Sequence, residues 1–192
     1  MPTPNPHALE FLLARRSRPS KTLTGPWPTQ EQLLPLLTAA ARTPDHGKLE
    51  PWRFIVLSGA ALPRLATAVA DCGILAEIEP EKIEKMQTQF KNAGLVVAVI
   101  ESQKPSAKIP AIEQTYSAGA VCLALLNAAL AAGWGANWLS GWASHDAKFI
   151  QDNLSLTGTE RVAGFIHIGT ETNAPPERPR PDLDQIVSWV DQ

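Results

Sequence analysis

The chain is 192 residues long and carries 17 Lys and Arg against 19 Asp and Glu, for a formal net charge of -2. This length suits a single domain over residues 1–192, and the balanced charge argues against nucleic acid or an anionic membrane surface as a partner. Cys72 and Cys122 are the only cysteines and no C-x-x-C motif occurs, so the composition predicts neither a metal site nor a disulfide framework.

The N-terminal segment predicts a helix. Residues 1–6 lack a charged region followed by an apolar run, so no secretory signal is indicated and the cytoplasm is the expected compartment. Asn5-Pro6 is typical of an N-cap and a first helical position. Leu9, Leu12 and Leu13 follow with helical spacing, and the extension of that stripe puts Arg16 on the inward face of the helix.

A basic cluster, Arg15-Arg16-Ser17-Arg18, closes this helix. Its three guanidiniums and one hydroxyl could give a phosphate bidentate, charge-assisted hydrogen bonds. Cations at a helix C-terminus also interact favourably with the helix macrodipole while they face solvent. The residue types therefore leave two interpretations open, a phosphate site or a solvated helix end.

A second helix is predicted from a capping box and an apolar stripe. Thr29 and Gln32 have the spacing of a capping box. Pro35 lies inside the segment, where it should kink the helix or make it begin at Pro35 instead. The stripe that indicates burial consists of Leu33, Leu36, Leu37, Ala40 and Ala41.

A stiff polar loop, Thr43 to Phe54, follows this helix and leads into a predicted strand over Phe54 to Leu57. Two prolines fix φ within the loop, so its side chains have little entropy left to lose on binding. It could form the wall of a pocket for an anionic or planar ligand, or it could be an ordinary proline-rich connection. The side chains that it displays are Arg42, Asp45, His46 and Arg53.

The rest of the chain alternates helices with a few strands. Leu95 to Ile100 is a continuous apolar run, typical of a strand covered on both faces. Because no regular β-α-β series appears, the pattern favours an α+β fold with a central sheet. The further predicted elements are helices near residues 60–70, 80–91, 110–132 and 146–154, a short segment at 136–140, a strand at 162–168, an extended stretch at 175–181 and a terminal strand or arm at 183–190.

The segment from 114 to 145 contains no Asp, Glu, Lys or Arg. Ala118 to Ala132 is rich in alanine and includes Asn127, and Gly133 and Gly135 close it, so the span is too short and too weakly apolar for a bilayer. We expect a central helix that is buried on nearly all sides.

Three tryptophans and three glycines fall within Gly133 to Trp142. Glycine lets a flat ligand approach the backbone and tryptophan can cover it, although core packing by large aromatics would use the same residues. The segment is not a dinucleotide fingerprint, because it lacks the third glycine and a β-α-β context.

Side chains for self-sufficient catalysis are not evident. No G-x-S-x-G motif occurs, and the acidic residues Glu77, Glu79, Glu81 and Glu84 lie in a charged helical stretch that is expected to be solvated. An enzyme built on this chain would therefore need a cofactor for the difficult chemistry.

Several motifs, in their order and spacing, resemble the FMN-dependent NAD(P)H nitroreductase family, particularly its small, minimal-length members. They are Arg15-Arg16-Ser17 after the first helix, Ala41-Arg42-Thr43-Pro44-Asp45-His46, Pro51-Trp52-Arg53-Phe54, Gly133-Trp134-Gly135, and the late strand Gly164-Phe165-Ile166-His167-Ile168-Gly169-Thr170.

The resemblance implies a three-layer α+β fold with a central mixed, mainly antiparallel sheet, flanked by helices, in an intertwined homodimer with FMN at the interface. By the same resemblance, Arg15, Arg16 and Ser17 would hold the FMN of one subunit, and Trp138, Leu139 and Ser140 would line it. Arg42 and His46 would reach that FMN from the other subunit. Arg180 lies where relatives place a phosphate-binding basic residue, whereas Leu139 departs from the basic residue that close relatives often have.

The implied activity is an oxidoreductase that uses NAD(P)H to reduce nitroaromatic, quinone or similar electron-poor acceptors by ping-pong hydride transfer. FMN would supply the chemistry, and no side chain is assigned as catalytic. Two alternatives stay open: a flavin-fragmenting or dehalogenating relative on the same fold, and a non-catalytic dimeric flavin-binding protein.

Overall fold

The computed structural model describes residues 3–191. The helices over that range are α1 (Pro6–Ala14), α2 (Gln30–Ala40), α3 (Ala61–Leu75), α4 (Pro80–Lys91), α5 (Ala111–Ala131), α6 (Ala147–Leu154) and α7 (Leu183–Ile186). The strands are β1 (Leu23–Thr24), β2 (Trp52–Ser58), β3 (Leu95–Ser102), β4 (Gly135–Leu139) and β5 (Glu160–Glu171).

The strands form one sheet in the order β1-β5-β3-β2, with β4 paired to β5. Every pairing recorded between the described strands is antiparallel. β3 lies between β2 and β5, and its residues from Leu95 to Glu101 are all buried, which confirms the predicted strand covered on both faces. β2 and β4 each pair with one strand, and β4 brings Asn137 opposite His167 of β5.

Helices cover both faces of this sheet, so the predicted α+β architecture with a mainly antiparallel sheet is confirmed. On one face, α3, α4 and α6 pack around Phe90, Phe149 and Phe165. On the other face, α2 and α5 bury Leu36 and Val121 against the strands. Each side chain of β3 from Leu95 to Ile100 therefore contributes to one of two apolar cores.

α5 is the one helix among the described residues whose length and composition would allow it to cross a membrane. In this fold it packs on the sheet and on α2 through residues such as Ala118, Cys122 and Leu125, which are completely buried. Burial on nearly all sides was the wrong expectation for the single chain, because Tyr116 is 68% exposed and Leu123 is 44% exposed. The exposed side of α5 forms an apolar stripe that a second surface would have to cover.

α1 begins where predicted but ends earlier, and it does not have the predicted orientation. Asn5 caps it, since its Oδ1 accepts a hydrogen bond from the Ala8 N–H at 3.1 Å. The helix ends at Ala14, so Arg16 lies beyond it and not on an inward stripe. Leu9, Leu12 and Leu13 are all exposed in this chain, and within the described residues α1 buries none of its side chains.

α2 begins at Gln30, not at Pro35, and continues through Pro35. The capping box is complete: Thr29 Oγ1 accepts from the Gln32 N–H, and Gln32 Oε1 accepts from the Thr29 N–H. Pro35 is on the exposed side of the helix, where water can bind the carbonyl that the missing proline N–H leaves free.

The C-terminal segment, which was predicted as a terminal strand or arm, is not a strand. Asp182 caps one helical turn, α7, and the residues after it are irregular. The alternation that suggested a strand comes from apolar side chains that are exposed along this segment: Leu183, Ile186, Val187, Trp189 and Val190.

We expect Gly94→Ala to lower the free energy of unfolding by about 1–3 kcal/mol, because a Cβ at Gly94 would overlap the ring of Trp27. Gly158→Ala is the matched control, since a Cβ there meets no described atom within 4 Å. Urea unfolding measures both variants. Equal stability of the two variants would contradict close packing of Trp27 over Gly94.

Candidate active site

A polar cavity of about 480 Å³, here called the arginine cavity, opens beside β4. The segment after α1 supplies one wall, β4 supplies another, and the chain that follows β5 closes it. The residues that line it are Arg15, Arg16, Ser17, Pro19, Asn137, Trp138, Pro175, Arg178 and Arg180. Four guanidiniums therefore converge on one concave surface.

The cavity has the electrostatics of an anion site. Burial lowers the pKa of Arg15, and the charges of Arg180, Arg16 and Arg18 lower it further. Arg15 Nη2 donates to Ser17 Oγ at 3.0 Å. Within the described residues, however, the buried Nε atoms of Arg15 and Arg16 have no hydrogen-bond partner. Donors of this kind are costly to bury unless an acceptor reaches them, and a phosphate supplies several acceptor oxygens.

Glu177 provides part of the countercharge. Its Oε1 lies 2.9 Å from Arg180 Nη2 and 3.9 Å from Arg16 Nη1. The hydrogen bond from the backbone N–H of Arg178 is the largest cause of the lowered pKa of Glu177. One exposed carboxylate does not balance four guanidiniums, so the cavity keeps a positive charge.

Arg18, the third guanidinium of the basic cluster, is used elsewhere. The Nε of Arg18 pairs with Glu171 Oε2 at 3.1 Å, and the backbone N–H of Arg18 donates to the Ala136 carbonyl at 2.8 Å. These bonds fix the chain after α1 along β4 and β5. Arg18 therefore holds the cavity wall in place, while Arg15 and Arg16 face the cavity.

A second cavity of about 490 Å³ adjoins the first and shares Pro19 and Asn137 with it. Trp138 lines only the arginine cavity and Leu139 lines only the second, because side chains of consecutive strand residues point to opposite faces. Ser140 is exposed and, for the part of the chain that is described, lines neither cavity. The remaining lining residues are Ser20, Lys21, Glu81, Glu84, Lys85, Thr88, Gln89 and Asn92.

The acidic stretch of α4 is exposed as predicted, yet Glu81 and Glu84 also border this second cavity. Sequence reasoning missed that position, and it missed Asn137 and Arg178 in the arginine cavity. The Arg178-Pro179-Arg180 sequence could have indicated Arg178, because it places a second arginine next to Arg180 with only one proline between them. Nothing in the sequence around Asn137 distinguishes it from an ordinary strand residue.

Arg42 and His46 lie outside both cavities of this chain. Arg42 is exposed and borders a shallow depression on α2. His46 Nδ1 lies 2.7 Å from Glu113 Oε2 on α5. A single chain therefore does not bring these two residues to Arg15, Arg16 and Ser17, and their predicted role requires a second copy.

Arg53 belongs to an ion pair and not to a pocket wall, so the interpretation that placed it in a pocket is wrong. Its Nε and Nη2 donate to the two carboxylate oxygens of Glu160 at 2.6 and 2.9 Å. Hydrogen bonding to Arg53 is the main reason why the pKa of Glu160 falls to about 2, and the same bond raises the pKa of Arg53. The pair links β2 to β5 across the edge of β3.

Comparison with known proteins identifies the family. The model of the Nitroreductase family matches residues 12–170, a span that includes Arg15, Arg16 and all of β4 but ends before Arg178 and Arg180. The chain belongs to the nitroreductase family. Membership confirms the resemblance seen in the sequence and places the chain among oxidoreductases.

Individual relatives agree with this assignment. The Escherichia coli K12 protein named "Putative NAD(P)H nitroreductase YdjA" is 33% identical over 163 residues, which cover 85% of this chain and 87% of that protein. The crystal structure of a nitroreductase-like family protein from Bacillus cereus superposes with a TM-score of 0.81 at 24% identity, over 100% of both chains.

A variant of the FMN and NADPH-dependent nitroreductase NfnB from Sphigopyxis sp. strain HMH superposes with a TM-score of 0.75 at 18% identity, over 95% of this chain and 98% of that one. At these identities the structural matches show that the fold is shared. The sites must be argued from this chain's own residues.

Proposed function

We propose that this chain binds FMN and uses NAD(P)H to reduce nitroaromatic compounds, quinones or similar electron-poor acceptors in ping-pong turnover. The observation that supports it best is the arginine cavity, in which buried donors of Arg15 and Arg16 lack a partner among the described residues. A phosphate monoester satisfies such donors, and the adjoining second cavity offers room for the planar part of the same molecule.

Arg15, Arg16, Ser17 and Arg180 are the residues that would hold the phosphate end. Leu139 would line the ring system from the second cavity, and Trp138 would contact the same molecule from the arginine cavity. Ser140 borders neither cavity, so its predicted contact with the ring system has no support from the cavity lining. Arg42 and His46 of a second copy would complete the site. When bound, FMN supplies the hydride-accepting and hydride-donating chemistry. The chain contributes position and, at the phosphate end, the positive charge that holds the anionic group. No side-chain acid or base is required.

The active unit in this proposal is a homodimer of two single-domain chains in the cytoplasm. Three apolar surfaces of this chain are exposed and unpaired within the described residues: the leucines of α1, the stripe on α5 and the C-terminal segment. Exposed apolar surfaces of this kind mark sites of interaction with another surface. A second copy would cover them and would also bring Arg42 and His46 toward the arginine cavity.

The visible spectrum of the purified protein tests this proposal. We expect the absorption bands of oxidised flavin, their retention through gel filtration, elution at the mass of a dimer, and oxidation of NADH or NADPH that depends on an added quinone or nitroarene. A colourless protein that cannot be reconstituted with FMN would overturn the proposal. Bound flavin without oxidation of NADH or NADPH would indicate a flavin-binding protein and would contradict the proposed enzymatic activity.

A further inference from the structure

The loop that carries His46 is fixed by unusual backbone geometry. Gly47, Lys48 and Glu50 have φ values of 76°, 54° and 49°, in the left-handed region that residues with a side chain seldom adopt. Asp45 stabilises this path, because its Oδ2 accepts hydrogen bonds from the N–H groups of Leu49 and Glu50. Strained backbone of this kind persists only where the surroundings enforce it, and it is concentrated at functional sites.

Side chains from the first two turns of α5 contact the loop that carries His46. Ser117 Oγ donates to the Pro44 carbonyl at 3.0 Å and accepts from Trp52 Nε1 at 3.2 Å. Glu113 is one turn earlier on the same helix face, and it contacts His46 Nδ1 at 2.7 Å. The same face of α5 thus anchors the loop backbone at one position and the imidazole ring at the next.

The contact between His46 and Glu113 contributes little to folding. The two side chains are 63% and 41% exposed, and exposed ion pairs add little stability. Asp45 and Ser117 already fix the backbone of the loop. The contact does fix the ring: a carboxylate only accepts hydrogen bonds, so it selects the tautomer with hydrogen on Nδ1.

We propose that Glu113 is the positioning residue for His46 and that its contact with Nδ1 directs Nε2 of the ring toward the FMN held by the second copy of the chain. This inference rests on the proposed function. With hydrogen on Nδ1, the neutral ring offers Nε2 as an acceptor, and the donors that suit it are hydroxyl or ring N–H groups of the flavin. If the ring of His46 turned freely, either of its two nitrogens could face the flavin, as a donor or as an acceptor.

Nitrogen-15 NMR of the histidine rings in the full-length protein, at a pH where His46 is neutral, tests the tautomer directly. The chain has only 4 histidines, and His46→Gln assigns the signal. We expect hydrogen on Nδ1 in the wild type and in Glu113→Gln, whose amide oxygen still accepts. In Glu113→Ala the ring should lose this preference. The tautomer shows whether Glu113 fixes the ring of His46, and FMN affinity shows whether the fixed ring contributes to cofactor binding.

FMN titration, followed by quenching of flavin fluorescence, is the second readout. We expect Glu113→Ala to weaken FMN binding about fivefold to tenfold, the size of one hydrogen bond, and Glu113→Gln to stay within about twofold of the wild type. Glu10→Ala is the matched control, because it removes another carboxylate contact to a histidine, His7, and should change neither readout.

The outcomes separate the two proposals. A wild-type protein that binds no FMN overturns the proposed function. Hydrogen on Nε2 of His46 in a wild-type protein that binds FMN overturns the positioning role alone, and so does FMN affinity that is equal in Glu113→Ala and the wild type. If Glu113→Ala fails to fold, the wild type and Glu113→Gln still decide the tautomer.

Discussion

Arg16→Ala is expected to weaken FMN binding by about 10- to 150-fold, which corresponds to the loss of one charge-assisted hydrogen bond of about 1.5–3 kcal/mol. The Arg16 side chain is 17% exposed, and its buried Nε has no partner among the described residues, so a bound phosphate has little competition for it. Titration of FMN into the variant, and flavin occupancy after gel filtration, measure the effect.

Two variants make this result specific. Arg16→Lys keeps the charge but loses the planar pair of donors, so its affinity should lie between those of the wild type and Arg16→Ala. Arg64→Ala is the matched control, because this exposed guanidinium binds Asn153 on α6 and lies in neither cavity. Full flavin occupancy in Arg16→Ala would exclude Arg16 from the phosphate site.

The elements that the sequence predicts well are those with a strong local signal. α4 has the predicted bounds, because Pro80 opens it and its apolar residues face the core at helical spacing. The apolar run of β3 predicts a buried strand, and the capping box places the start of α2. Each of these depends on residues a few positions apart, so single-sequence reasoning can find it.

The errors concern surfaces that local patterns do not describe. The leucine stripe of α1 was expected to face inward, and the alternation after Asp182 was expected to form a terminal strand or arm. Both segments are exposed here. A periodic pattern shows that a face is apolar, but it does not tell whether the chain itself or a second copy covers it.

Residues of the candidate site are predicted where they are close in sequence and missed where they are distant. Arg15, Arg16 and Ser17 are adjacent, so their joint chemistry is visible in the sequence. Arg178 joins them only because β5 returns the chain to β4. Conversely, the sequence shows Arg53 as a side chain free to bind a ligand. In the fold it pairs with Glu160, which lies 107 positions later in the chain.

Buried His167 is expected to make the protein lose stability as the pH falls below neutrality. Its side chain points into the core beside Phe90, with ring centroids 6.4 Å apart, and is 2% exposed. Burial lowers the pKa of His167 to about 4, from an ordinary value of about 6.5. Nothing among the described residues accepts or donates a hydrogen bond at its Nε2.

Well above pH 6.5 the ring is neutral in both states, and His167 adds no pH dependence. Between about pH 6.5 and 4 the unfolded chain binds a proton that the folded chain does not, so the free energy of unfolding decreases, by about 3 kcal/mol in total. His167→Leu removes this linkage, and its stability relative to wild type should rise by that amount over the same range. Urea unfolding from about pH 7 to 4 measures the difference, with His145→Leu at an exposed position as control. A difference between His167→Leu and wild type that stays constant over this range would mean that the ring is not buried as a neutral group.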